Sequence, residues 1–147
     1  MIQIFKKVSV SLMALTFTLI ASAGGGKVKS STNTSGFNWN PVMDAIIQVE
    51  SEGNPNAVSG NSVGAMQITP ILVKDCNEIL KRQKSNKRYT MADRYSVAKS
   101  KEMFLIIQKY YNPENSIEKA IRLWNGGVKY TVRATNRYYK KVLAQMK

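Results

Sequence analysis

Histidine is absent from this sequence of 147 residues, and cysteine occurs once, as Cys76. Without histidine the chain can form neither histidine metal sites nor the Ser-His and Cys-His pairs of nucleophilic catalysis. One cysteine excludes an intramolecular disulfide, and its apolar helical neighbours favour a core position for Cys76. Any chemistry must therefore rest on carboxylates, hydroxyls, amides or lysines, and we expect no metal and no cofactor.

Acidic residues are also scarce, because nine Asp and Glu residues stand against 22 Lys and Arg residues and give a formal net charge of +13. Such a balance favours binding to an anionic polymer. The anionic partner can be nucleic acid, an acidic membrane surface or a bacterial cell wall. The charge alone does not distinguish among these three partners.

The N-terminal residues predict export. Lys6 and Lys7 precede an apolar run over residues 8–21, and Ala21-Ser22-Ala23 supplies the small residues of a cleavage site. A membrane anchor is the alternative, but the run is short for a span of about 20 residues. We therefore predict a signal peptide over residues 1–23, no stable membrane anchor, and a location in the periplasm or cell envelope or outside the cell. Export makes nucleic acid a poor partner.

The rest of the chain predicts one helical domain. Residues 24–38 are rich in Gly, Ser, Thr and Asn, which is typical of a flexible tether. Residues 39–147 show apolar residues at helical spacing and no alternating strand of useful length. Capping residues and prolines predict helix starts at Asn40, Thr69, Thr90, Asn115 and Thr131. The predicted fold class is all-α.

One carboxylate lies where an apolar side chain is expected. Glu50 follows Ile46 by four residues and therefore shares the apolar face of the first helix. Apolar surroundings and the negative end of the helix dipole both disfavour an ionised carboxylate, so the pKa of Glu50 should be raised. A carboxylic acid that is still protonated near neutral pH can protonate a glycosidic oxygen.

Four short motifs occur in order: Glu-Ser at residues 50–51, Asn-Pro-x-Ala-x-Ser at 54–59, Gly-x-Met-Gln-Ile at 64–68 and Trp-Asn-x-Gly at 124–127. In this order they resemble the Slt-type lytic transglycosylases, which are peptidoglycan lyases with a goose-lysozyme-like helical fold. The resemblance spans residues 42–143. It implies a single lysozyme-like domain that binds peptidoglycan glycan strands.

The resemblance also implies roles for individual residues. Glu50 would be the catalytic acid and base, Ser51 would help to hold the sugar or the glutamate, and Gly64 would let the backbone approach the cleft. Met66 and Gln67 would line the glycan subsites.

The later motifs imply three further substrate-binding residues, Trp124, Asn125 and Tyr138. The family has Ala-Tyr-Asn where this chain has Leu123-Trp124-Asn125, so the amide is kept but the tyrosine hydroxyl is lost. Stacking or packing is therefore the expected role of Trp124. Residues 135–138 resemble a late family stretch in which the hydroxyl of Tyr138 would reach the catalytic glutamate.

The implied reaction is non-hydrolytic cleavage of the bond between N-acetylmuramic acid and N-acetylglucosamine, with a 1,6-anhydromuramoyl end as product. A hydrolytic muramidase that uses Glu52 or Asp93 as a second acid is the nearest alternative. A non-catalytic peptidoglycan-binding protein and a secreted basic nucleic-acid binder are two others. Intact Glu50, Gln67 and Asn125 argue against the non-catalytic protein.

Overall fold

The computed structural model describes residues 36–146. The predicted signal peptide and the tether up to residue 35 lie outside the described residues and stay predictions. The described part of the chain forms five α-helices: α1 (Asn40–Ser51), α2 (Pro70–Arg82), α3 (Val97–Tyr111), α4 (Ile117–Gly126) and α5 (Val132–Gln145). Two-residue strands β1 (Val58–Ser59) and β2 (Ser62–Val63) pair antiparallel, and a 3-10 helix covers Ala92–Tyr95. The all-α prediction is confirmed.

Hydroxyl side chains determine where four helices begin. At each of these N-caps a side-chain oxygen accepts a hydrogen bond from the backbone N–H three residues later; the residues are Thr69, Ser96, Ser116 and Thr131. Each such bond satisfies a donor that has no partner within the helix and contributes about 1 kcal/mol. The starts predicted at Thr69 and Thr131 are confirmed, whereas those predicted at Asn40 and Asn115 are displaced by one residue.

The helix predicted from Thr90 to Tyr111 is divided in two. Asp93 accepts hydrogen bonds from the backbone N–H and the hydroxyl of Thr90, at 2.6 and 3.0 Å, but this pair precedes the 3-10 helix. Ser96 then has extended backbone angles, and its hydroxyl accepts from the N–H of Lys99 to begin α3. The cap at Ser96 therefore separates the 3-10 helix from α3, where the apolar spacing predicted one continuous helix.

The core lies among the five helices, with α5 packed against α1 and α4, and α2 packed against α3. Its largest fully buried apolar side chains are Ile46, Met66, Ile68, Ile79, Met103, Phe104 and Ile121. Cys76 is fully buried among them, as predicted, and burial raises its pKa to about 12, so it is an unreactive thiol. No helix within residues 36–146 is long and apolar enough to cross a lipid bilayer.

Candidate active site

Glu50 lies in the last turn of α1 and borders two cavities. The first, here the central cavity, has a volume of about 250 Å³ and is lined by Glu50, Ser59, Ser62, Gln67, Thr69, Leu72, Trp124 and Asn125. The second, here the α5 cavity, has a volume of about 480 Å³ and is lined by Val49, Glu50, Asn125, Ala134, Arg137, Tyr138 and Lys141. Glu50 is the one acidic residue among the described residues that line either cavity.

The environment of Glu50 favours the protonated acid. Burial raises the pKa of its carboxyl above the ordinary value of 4.5, and the hydrogen bond from Tyr138 lowers it by a smaller amount. The direction predicted from the apolar face of α1 is therefore confirmed. Its physical cause is desolvation, which penalises the ionised form.

Two adjacent tyrosines of α5 make different contacts. The hydroxyl of Tyr138 donates a hydrogen bond of 2.7 Å to Oε1 of Glu50. The ring of Tyr139 instead lies 4.3 Å from the guanidinium carbon of Arg122. Burial and the nearby charge of Glu50 raise the pKa of Tyr138 far above its usual range, so its hydroxyl keeps its proton and remains a donor. The contact that the resemblance implied for Tyr138 is present.

Gln67 and Asn125 lie at the wall of the central cavity. Gln67 has a left-handed backbone, with φ of 51°, and its amide nitrogen donates to the carbonyls of Gly64 at 3.0 Å and Ala57 at 3.3 Å. These bonds hold the side chain in one orientation before any ligand arrives. Asn125 is exposed near the end of α4 and lines both cavities that Glu50 borders. Both amides can therefore bind a polar ligand beside the carboxyl.

Trp124 has a second role besides the predicted packing. Its ring packs against Phe104, with centroids 5.3 Å apart, and its indole N–H donates to the carbonyl of Met66 at 3.3 Å. The expectation of packing without donation is therefore corrected, because the indole supplies a donor from the ring itself. This bond connects α4 to the segment that carries Gln67.

The side chains of Ser51 and Met66 contact neighbouring protein groups and line neither of the two cavities that Glu50 borders. The hydroxyl of Ser51 donates to the carbonyl of Ala65 at 2.8 Å, which ties the end of α1 to the loop before Gln67. The side chain of Met66 has no exposed surface and belongs to the core. Met66 therefore does not line the cleft, which corrects that expectation, whereas a contact of Ser51 with sugar or with Glu50 stays a prediction.

Gly64 is required for the packing of its loop against the 3-10 helix, and its predicted role at the cleft stays a prediction. Its φ is 80°, and a Cβ at this position would lie 1.9 Å from the carbonyl oxygen of Arg94. The backbone of the 3-10 helix thus approaches the loop at a distance that only glycine allows. The guanidinium of Arg94 also donates to the carbonyls of Asn61 and Ile68, at 3.1 and 3.3 Å.

The sequence reasoning missed the buried cation that joins α4 to α5. Arg122 donates to Glu118 at 2.7 Å, to the hydroxyl of Thr135 at 3.0 Å and to the carbonyl of Val132 at 3.1 Å. Its place in the chain between the apolar residues Ile121 and Leu123, both buried, is the signal that could have revealed it. These bonds hold the helix that carries Asn125 against the helix that carries Tyr138.

The acids proposed for a second catalytic carboxylate lie elsewhere. Glu52 is exposed at the C-cap of α1, and Asp93 is engaged with Thr90, whose hydrogen bonds lower the pKa of Asp93. Neither lines the central cavity or the α5 cavity. The site can therefore supply one carboxyl that gives and regains a proton, a phenolic donor to that carboxyl, and two amides for binding.

The sequence matches one family of known proteins. The sequence model of the transglycosylase SLT domain matches residues 28–142, which is more than half of the chain. Searches of curated proteins and of solved structures returned no match. The chain therefore belongs to the transglycosylase SLT domain family, whose members are lytic transglycosylases.

Proposed function

We propose that this protein cleaves the β-1,4 bond between N-acetylmuramic acid and N-acetylglucosamine in peptidoglycan without consuming water. Glu50 is the catalytic residue, and Tyr138, Gln67, Asn125 and Trp124 support it. The observation that carries the proposal is the half-buried carboxyl of Glu50, which borders two cavities, has a raised pKa and accepts a hydrogen bond from Tyr138.

The reaction has two proton transfers, both at Glu50. In the first, the protonated carboxyl gives its proton to the glycosidic oxygen, and the bond from that oxygen to the muramoyl C1 breaks. In the second, the carboxylate takes the proton of the muramoyl 6-hydroxyl while that oxygen bonds to C1. The products are a free 4-hydroxyl on N-acetylglucosamine and a 1,6-anhydromuramoyl end, and Glu50 is protonated again.

Tyr138 has its largest effect between these two transfers. Glu50 is negatively charged at that point, in surroundings that disfavour charge. A hydrogen bond to an ionised acceptor is stronger than one to a neutral acceptor, so the 2.7 Å contact stabilises the carboxylate. The same contact keeps Oε1 oriented for both transfers.

The absence of a second acid supports transglycosylation over hydrolysis. A hydrolase of the inverting or retaining type uses two carboxyl groups on opposite sides of the scissile bond. Among residues 36–146, Glu50 stands without another carboxylate in the cavities that it borders. Glu52 and Asp93, the acids considered for a muramidase, are exposed or hydrogen-bonded outside these cavities.

Mass spectrometry of the released muropeptides tests the proposal. Purified peptidoglycan is incubated with the protein and, in parallel, with the Glu50→Gln variant. We expect muramoyl ends that are lighter by one water than hydrolysed ends and that resist borohydride reduction. Reducible ends would instead establish a muramidase, and binding without any release would establish a non-catalytic peptidoglycan-binding protein.

Export through residues 1–23 is a separate proposal, tested by the mass of the mature protein from a secreting cell.

A further inference from the structure

A third cavity adjoins the central cavity and plays no part in the reaction described above. This cavity, here the α2–α4 cavity, has a volume of about 260 Å³. It shares Thr69, Leu72, Trp124 and Asn125 with the central cavity, so the two cavities lie side by side. A substrate held beside Glu50 can therefore extend into it.

The walls of the α2–α4 cavity are mainly apolar, with five aliphatic side chains beside the rings of Tyr111 and Trp124. Ile107 and Leu123 are buried in its wall, whereas Ile71 and Val128 at its edge are 80% and 59% exposed. Apolar side chains this exposed, at the mouth of a cavity, favour a ligand with methylene groups. The aliphatic part of the wall offers few hydrogen-bond partners to the hydroxyls of a sugar ring.

One carboxylate faces this aliphatic cavity. Asp75 lies one turn after Ile71 on α2, and one of its oxygens accepts a hydrogen bond of 3.1 Å from the hydroxyl of Tyr111. None of the ion pairs within residues 36–146 includes Asp75, although the chain has 22 basic residues. A carboxylate can accept about four hydrogen bonds, so Asp75 retains capacity for a cationic donor.

We propose that the α2–α4 cavity binds the aliphatic amine side chain of a diamino residue in a peptidoglycan stem peptide, with its ammonium group on Asp75. The methylenes lie against the aliphatic walls, and the ammonium group reaches the carboxylate that Tyr111 orients. This inference rests on the proposed function, because the stem peptide reaches the cavity from a muramoyl residue bound beside Glu50. It makes the enzyme selective for strands whose stem amines are free rather than cross-linked.

Cleavage rates on matched substrates test this selectivity. The first substrate is a set of glycan strands with uncross-linked stem peptides, and the second is the same set after N-acetylation of the amines, which removes the charge. We expect the wild-type full chain to show a kcat/KM about tenfold higher on the free-amine strands, as for a hydrogen bond to a charged group. Asp75→Asn should reduce this preference to less than about twofold.

Glu78→Gln is the matched control, since it removes the same charge from the same helix. Glu78 lines a different cavity, together with Lys74 and Asn77, and should keep the wild-type preference. Equal rates of the wild-type protein on free-amine and acetylated strands would overturn the inference but leave the proposed function intact. A preference for free-amine strands that persists in Asp75→Asn would also overturn the inference.

A third substrate distinguishes the source of the amine. Strands stripped of stem peptides and partly N-deacetylated carry their ammonium groups on the sugar instead. An Asp75-dependent preference for these strands would overturn the stem-peptide assignment. If no strand is cleaved at all, the proposed function fails, and the inference is then tested by calorimetry with a disaccharide stem peptide. About tenfold weaker binding after acetylation of the amine supports the inference, and equal binding overturns it.

Discussion

The hydroxyl of Tyr138 lies 2.7 Å from Oε1 of Glu50, although 88 positions separate the two residues in the chain. This contact joins the end of α1 to the middle of α5. It also opposes the effect of burial on the pKa of the glutamate. Burial raises the pKa of Glu50, whereas the phenolic donor lowers it. The balance leaves a carboxyl that is protonated more readily than an ordinary glutamate and is still supported when it ionises.

Glu50→Gln should abolish turnover. The amide cannot transfer a proton, and loss of a general acid or base typically lowers the rate by about 10²–10⁴. Muropeptide release over time measures the effect. Because the variant keeps the size of the side chain, sedimentation onto insoluble peptidoglycan should be close to that of the wild type. A variant with more than about a hundredth of the wild-type rate would show that Glu50 is not the acid.

The same substitution should stabilise the fold near neutral pH. The pKa of Glu50 is higher in the folded protein than in the unfolded chain, so folding binds protons between the two values and the free energy of unfolding falls as pH rises through that window. Glutamine carries no charge at any pH and avoids this loss.

Urea unfolding of both proteins across pH measures this effect. The advantage of Glu50→Gln should be full above the raised pKa and should disappear below the ordinary value of 4.5. A variant that is less stable than the wild type at neutral pH would contradict the assignment of burial as the dominant cause.

Tyr138→Phe should change activity more than stability. The variant keeps the ring and deletes one hydrogen bond, which costs about 1 kcal/mol in the free energy of unfolding. Loss of the donor raises the pKa of Glu50 further, so the alkaline limb of the pH–rate profile should move to higher pH while the maximal rate falls.

Tyr139→Phe is the adjacent control for that experiment. Its ring contacts Arg122 rather than Glu50, and phenylalanine retains a ring at this position. The pH–rate profile of this variant should overlay that of the wild type. If both variants or neither variant moved the alkaline limb, the hydroxyl of Tyr138 would have no specific role at Glu50.

Gly64→Ala should destabilise the protein more than Gly60→Ala. Both glycines have a left-handed backbone, so alanine costs about 1 kcal/mol at either position. At Gly60 the new methyl group meets nothing within 4 Å, whereas at Gly64 it would lie 1.9 Å from the carbonyl oxygen of Arg94. We expect a total loss of roughly 3 kcal/mol or more at Gly64, measured by urea unfolding. Equal losses would show that the loop relaxes away from the 3-10 helix.

Local patterns in the sequence were sufficient to predict most of the helices and the raised pKa of Glu50. Hydroxyl caps and apolar spacing act over three or four residues, so Thr69 and Thr131 marked helix starts correctly. The position of Glu50 four residues after Ile46 likewise predicted a carboxyl in apolar surroundings with a raised pKa. The same patterns failed at Ser96, where a second cap interrupts a continuous apolar spacing.

The contacts that build the site depend on how distant segments pack. Tyr138 reaches Glu50, and the indole of Trp124 reaches the carbonyl of Met66, because α4 and α5 lie against α1 and its following loop. For the same reason Met66 belongs to the core, and Gly64 accommodates the backbone at Arg94. Hydrophobic burial is non-directional, so the residue pattern specifies which side chains are buried but not which of them meet. Those pairings follow from the positions at which the packed helices cross.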